Sequence, residues 1–378
     1  MNENDAPLDQ QPEDHTPDHT QDQAAQAPQP EENTREESQV VPAEQTQPEV
    51  EPAVQPEPLE SRIDLSGLRK AVGDIRSELA KIIVGQHDMV DQLIAALLAG
   101  GHVLIEGVPG VAKTLTAKLL ARTLSVKYNR IQFTPDLMPS DVLGTSVFDP
   151  KTTEFVYKKG PIFSNVVLID EVNRSPAKTQ AALFEVMEEA QVTMEGVRYE
   201  MARPFMVLAT QNPIEHEGTY RLPEAQMDRF LFKIEVPYPK LDEETKILEG
   251  FHQRKNNNDP SHLETILTGE QIADYQTKVN EVHVDPKLMG YIAAIMHNTR
   301  NSASLYLGAS PRASVYLMKA SQAWAAMQGR DFVTPEDVQE MALPVLRHRI
   351  MLTPEKEMEG LTETQVIKSI IENIEVPR

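Results

Sequence analysis

The chain has 378 residues, 58 acidic against 36 basic side chains, a formal net charge of −22 and no cysteine. That length allows two or three domains, and the charge makes generic binding to a nucleic-acid backbone a poor first expectation. The lack of thiols excludes disulfide frameworks, cysteine nucleophiles and thiolate metal sites. Residues 1–60 hold sixteen acids, one base (Arg35), ten prolines, ten glutamines and no aromatic residue. This segment carries −15 of the net charge and cannot bury enough apolar surface to offset its ordering entropy. A disordered acidic arm over 1–60 is expected, acting as a solubilising tether or a partner-binding tail. The first twenty residues lack a basic and an apolar leader region, and no run of eighteen apolar residues occurs. A cytoplasmic protein without a secretory signal or membrane span is expected.

Order is expected from about Ser61. Val72, Ile75, Leu79, Ile82 and Ile83 have helical spacing, Ile83, Val84 and Gly85 break it, and residues 88–98 resume a helix. The run HVLIE (102–106) reads as a buried strand and residues 112–124 as another helix. Between them stands Gly107-Val108-Pro109-Gly110-Val111-Ala112-Lys113-Thr114, followed by Leu115. Strand, glycine-containing loop and helix in that order form the frame of a phosphate-binding loop, whose backbone N–H groups wrap phosphates. Lys113 would reach the β and γ phosphates of ATP and the Thr114 hydroxyl would ligate Mg²⁺. Ala112 replaces the motif's second glycine, which is tolerable only with negative φ. Taken alone, the string also suits an ordinary strand-to-helix turn.

The aliphatic run 166–169 ends in Asp170-Glu171, as expected of a central parallel strand whose carboxyl end carries chemistry. Asp170 can serve Mg²⁺ and Glu171 can orient or deprotonate the attacking water, although an acidic pair also caps helices. A third strand, 205–210, ends before Asn212, which would sit beside that water if the strand lies between the other two. The turn 223–230 contains Arg229 and precedes a fourth strand, 231–236. By itself Arg229 is a helix C-terminal cation. Two hairpins are expected, over 146–160 and 191–200. From Pro239 onward strand signals stop, and helices are expected over about 242–254, 268–281, 285–299, 311–328 and 335–349, the last with Thr334 at N-cap and Pro335 at N1. Trp324, Met289, Met296, Met318 and Met327 are expected in the core of this part, and His348 as a packing or interface group. The ten histidines show no paired metal spacing.

This order of motifs resembles the MoxR family of AAA+ ATPases over about residues 65–350. The resemblance rests on IIVGQ (82–86), EGVPGVAKT (106–114), IDEVNRSPAKTQAALFEVMEEAQVT (169–193), ATQNPIEHEGTYRLPEAQMDRF (209–230), GASPRAS (308–314) and LRHRI (346–350). It implies an α/β P-loop domain with a parallel sheet (61–238), followed by an all-α lid (239–378). It implies Lys113 and Thr114 as the Walker A pair, Asp170 and Glu171 as the Walker B pair, and Asn212 as sensor 1. Arg229 is then the arginine finger supplied to a neighbour and Arg312 is sensor 2, while Ile83, Val84 and Gly85 clasp the adenine. Arg174, Arg203 and Arg221, also interface cations, are the alternatives for the finger, and Lys158 and Lys159 face a partner from a pore-facing hairpin. The resemblance also implies a homo-oligomeric ring, hexameric, that remodels client proteins together with von Willebrand factor A-domain partners. Two rival readings are a nucleic-acid motor or magnesium-chelatase-type subunit, and a nucleotide-gated scaffold with little turnover.

Overall fold

Helix α1 (Ser66–Ala80) buries Leu68, Val72, Ile75 and Leu79, one stripe at helical spacing, whereas α2 (His87–Leu98) is buried almost all round. These are the first elements of the computed structural model, which describes residues 63–212, 220, 222–255 and 263–377. The acidic arm expected over 1–60, and Arg221, lie outside the described residues.

The chain then runs through β1 (Val103–Gly107), α3 (Lys113–Thr123), the short β2 (Leu124–Ser125) and β3 (Tyr128–Gln132). Helix α4 (Pro139–Leu143) is only five residues long and gives way to a hairpin of β4 (Gly144–Asp149) and β5 (Glu154–Lys159). Next come β6 (Val166–Asp170), a 3₁₀ turn (Val172–Arg174) and α5 (Ala177–Glu189). A second hairpin, β7 (Gln191–Met194) and β8 (Val197–Glu200), precedes β9 (Met206–Gln211), α6 (Glu224–Met227) and β10 (Phe232–Val236).

Five strands form a parallel sheet in the order β10-β1-β9-β6-β3. Strand alternation divides its side chains between two cores. Leu104, Val167, Ile169, Val207 and Ala209 pack with α5 on one face, and Val103, Ile105, Val166, Leu168, Met206 and Leu208 pack with α1 to α3 on the other. Both faces are covered, which explains why β6 reads as an uninterrupted aliphatic run.

After β10 the chain forms α7 (Leu241–Gln253), β11 (Leu267–Thr268), α8 (Gly269–Asn280), α9 (Pro286–Asn301), β12 (Leu305–Leu307), α10 (Pro311–Met327), α11 (Pro335–Leu346) and β13 (Met351–Leu352). The fold is thus a parallel-sheet core followed by a helical lid, and α8 to α11 share one hydrophobic core with α1 and α2. Two expectations need correction. The lid is not free of strands: β11 pairs with β2 and β12 with β13, pieces of two or three residues too short to carry a readable period. Met289 is 47% exposed, because on α9 the neighbouring Leu288, Ile292, Ile295 and Met296 take the inward face. Met296 and Met327 are buried, while Met318 and Trp324 pack partly buried against the core.

Candidate active site

The carboxyl ends of β1, β9, β6 and β3 converge, with Glu106 in register with Gln211 and Gln132 with Asp170. Gly107 closes β1 against β10, where an added Cβ would stand 2.8 Å from the Val236 carbonyl oxygen, so only glycine fits. The loop then turns through Ala112, whose φ is +61° and ψ 20°. The negative φ expected there is not found. The loop requires a left-handed residue at the position where the phosphate-loop pattern has glycine, and alanine carries a strain of about 1–2 kcal/mol.

Lys113 opens α3, and its Nζ donates to the carbonyl oxygens of Gly107 and, at 3.1 Å, of Gln211. Burial lowers the pKa of this ammonium, against the raising fields of Asp170, Glu106 and Glu171. Asp170 is buried and fully engaged. Its Oδ1 accepts from Thr210 Oγ1 at 2.8 Å and Thr114 Oγ1 at 3.1 Å, and its Oδ2 from Arg130 Nε at 2.7 Å. Glu171 follows in a left-handed conformation (φ 58°, ψ 52°) and its N–H donates to Thr210 Oγ1 at 3.0 Å. Its Oε2 accepts from Gln132 Nε2 at 2.6 Å and lies 3.2 Å from Arg174 Nε.

These groups border a cavity of about 570 Å³. Ile83, Val84, Pro109, Gly110, Val111, Ala112, Lys113, Thr114, Leu115, Asp170, Glu171 and Asn212 all line it. Gly107, Val108 and Gly85 do not: Gly107 is committed to β10, and Gly85, at φ +76°, packs so closely on Glu243 that a Cβ would overlap that carboxylate. Sequence reasoning missed Arg130, Gln132, Thr210 and Gln86, whose Nε2 donates to the Val111 carbonyl at 2.6 Å and holds the loop. The helix expected over 242–254 is present as α7, but its part in the site was missed: it buries no residue in either core yet turns Ile247 and Phe251 onto the cavity. Strand β3 gave no signal because only Ile131 of its five residues is buried.

Arg229 and Arg312 do not line this cavity. Arg229, in the turn before β10, has Nε 3.2 Å from Glu188 Oε2, a charge contact without hydrogen-bond geometry. Arg312, in the first turn of α10, donates from Nη2 to Glu188 Oε1 at 2.7 Å. The adjoining Asp228 accepts from Ser310 Oγ at 3.0 Å and from the buried Arg349 Nε at 2.7 Å. His348, also buried, lies with Nε2 3.0 Å from the Phe230 carbonyl oxygen. The lid therefore grips the segment that carries Arg229 through two successive residues of the LRHRI string.

Residues 102–232 match the model of the ATPase family associated with various cellular activities (AAA), and 297–370 match the AAA lid domain. The chain is 45% identical to Bacillus subtilis YeaC over 82% of its own length and 96% of that protein. It is 42% identical to the chaperone MoxR1 of Mycobacterium tuberculosis, over 80% of this chain and 81% of the relative. The chain belongs to the MoxR family of AAA+ ATPases. A crystal structure of a Cytophaga hutchinsonii protein superposes with a TM-score of 0.77 at 40% identity, covering 83% of this chain and 97% of that one.

As an AAA+ ATPase the chain hydrolyses ATP. The donor set suits a Mg²⁺ ion that arrives with nucleotide: one carboxylate, Asp170, beside one hydroxyl, Thr114, both hard oxygen ligands. Among the described residues no group of three or more acidic or histidine side chains could hold a metal without phosphate oxygens. No described helix is long and apolar enough to cross a membrane.

Proposed function

We propose that the chain assembles into a homo-oligomeric ring, hexameric, that hydrolyses ATP at sites shared between protomers and uses the turnover to remodel protein clients in the cytoplasm. The observation that carries the ring is the position of Arg229 and Arg312. Both are arginines to which the family resemblance gives nucleotide-facing roles, and both lie off their own cavity, paired on Glu188. In this reading each guanidinium serves a neighbour's γ-phosphate, where it stabilises transition-state charge.

In this reading Ile83, Val84, Ile247 and Phe251 offer apolar walls to the base, and the backbone of the loop before α3 receives the phosphates. Lys113 exchanges the carbonyls of Gly107 and Gln211 for β and γ phosphate oxygens. Thr114 and Asp170 would hold a Mg²⁺ ion, which would supply positive charge to the phosphates, and Arg130 and Thr210 keep Asp170 in place. Glu171 accepts a proton from the water that attacks the γ-phosphorus, the bond to the β–γ bridging oxygen breaks, and ADP and phosphate leave. Asn212 follows β9, which runs between β1 and β6, and in this reading its amide orients that water.

A protein client is supported by the β4–β5 hairpin, whose Phe148 and Phe155 are 48% and 70% exposed and meet edge to face at 5.5 Å, with Lys158 and Lys159 exposed further down the same β5 strand. The chaperone designation of the Mycobacterium tuberculosis relative supports remodelling, and von Willebrand factor A-domain proteins are the partner class the resemblance implies. The test mixes Arg229→Ala, which lacks the finger, with Lys113→Ala, which lacks nucleotide affinity but keeps the finger. Activity above the sum of the two separate variants is expected once labelled subunits have exchanged, and single-stranded DNA should leave phosphate release unchanged. Additive activity in demonstrably mixed assemblies would move Arg229 to a role in its own subunit, and stimulation by DNA would favour a nucleic-acid motor.

A further inference from the structure

Glu188 lies at the penultimate position of α5, outside the nucleotide cavity, and is the one carboxylate that contacts both Arg229 and Arg312 among the described residues at 3.2 Å or less. The two arginines come from different parts of the fold, one from the core segment before β10 and one from the lid helix α10. Asp228 is the alternative counter-charge, but it stands 3.8 Å from Arg312 Nη1 and is already engaged by Arg349 and Ser310. Lys319 and Arg203 line the same surface cavity as Glu188 and Arg229, so the surroundings are rich in positive charge. Without an anion between them, two guanidiniums brought to one carboxylate-sized space repel, and their long side chains disperse over many rotamers. Glu188 removes the repulsion, hydrogen-bonding Arg312 and drawing Arg229 to the same carboxylate by charge. Its contact with Arg229 is through Nε, whereas phosphate recognition by arginine uses paired N–H groups of the guanidinium fork.

We infer that Glu188 is a positioning residue that yokes the core arginine to the lid arginine, so that Arg229 and Arg312 reach the adjacent protomer's γ-phosphate as one unit. The inference rests on the reading in which those arginines act in trans. Lid and finger then move together: a shift of α10 is transmitted to Arg229 through a single carboxylate, in addition to the backbone grip of His348 and Arg349.

The experiment uses the full-length Glu188→Gln variant, which keeps the shape and loses the charge, with Glu188→Asp as the conservative comparison. ATP affinity and melting temperature should match the unsubstituted protein. The kcat should fall about 10–100-fold at an unchanged KM for Glu188→Gln, and Glu188→Asp should recover part of it. Mixed with Lys113→Ala under conditions where subunits exchange, Glu188→Gln should regain activity as Arg229→Ala does, because the Lys113→Ala subunit lends an intact Glu188–arginine set to its neighbour. A kcat within twofold of the unsubstituted protein overturns the inference. So does a loss that Lys113→Ala subunits fail to complement while they complement Arg229→Ala, since Glu188 would then act inside its own subunit. If neither variant is complemented, the trans reading itself fails and the inference falls with it.

Discussion

Gln132 Nε2 donates to Glu171 Oε2 at 2.6 Å, across the register pair that sets Gln132 beside Asp170 at the ends of β3 and β6. The edge strand thereby fixes one oxygen of the carboxylate that the proposed chemistry uses as proton acceptor. Arg174 Nε lies 3.2 Å from the same oxygen and adds an ion pair to it. Gln132→Ala should lower kcat about tenfold through lost orientation of Glu171, with KM for ATP changed less than about threefold. Steady-state phosphate release checks this; an unchanged kcat would show that Arg174 alone suffices.

Ala112 supplies a second prediction, one about stability. At φ +61° it occupies a region that costs an alanine about 1–2 kcal/mol, a penalty glycine escapes. Glycine also widens the unfolded ensemble by roughly 0.4–1 kcal/mol, so Ala112→Gly should stabilise by about 0.5 kcal/mol net. Ala112→Val should destabilise by at least about 1 kcal/mol, because a β-branched residue is poorly tolerated in that region. Denaturant midpoints of the two variants should therefore move in opposite directions. A stable Val variant would remove the strain argument.

His102 gives the pH dependence. Its Nδ1 accepts the Val207 N–H at 3.0 Å, so the ring proton sits on Nε2 and donates to the Met187 carbonyl at 3.1 Å. Burial pushes its pKa down to about 4 from 6.5, against smaller raising effects of the Met187 carbonyl and the Glu188 charge. The unfolded chain therefore binds the extra proton first as pH falls. The contribution is complete above pH 6.5, declines between 6.5 and about 4, and the loss levels off below. Between pH 7 and 5 the loss attributable to this group is about 2 kcal/mol. Urea unfolding at both pH values should show a smaller difference for His102→Asn than for the unsubstituted protein. Equal differences would mean that His102 is not the titrating group.

The elements that were legible in the sequence share a physical cause. Buried parallel strands such as β6 must be apolar on both faces, and the loop from Gly107 to Thr114 is confined by the backbone geometry that phosphates demand. What stayed hidden is what tertiary packing decides. Among the described residues β3 pairs only with β6, and its sequence is an ordinary polar one, so Arg130 and Gln132 carried no signal. The left-handed turn at Ala112 contradicted residue preference, as strained positions at functional sites do. Arg312 falls at the start of the helix expected over 311–328, but its pairing with Glu188, 124 residues away in sequence, is a property of how lid and core pack.

In the proposed mechanism ATP is cleaved in the cavity bounded by Lys113, Asp170 and Glu171, with Glu171 taking the proton. ATP binding and phosphate release measured on one preparation of Glu171→Gln test it most directly. The amide keeps the shape of the side chain but accepts a proton poorly, so ATP affinity should persist while turnover falls by about 10²–10⁴. Under the same conditions Lys113→Ala should lose nucleotide affinity itself. Phosphate release from Glu171→Gln at the unsubstituted rate would contradict the claim and place the proton acceptor elsewhere.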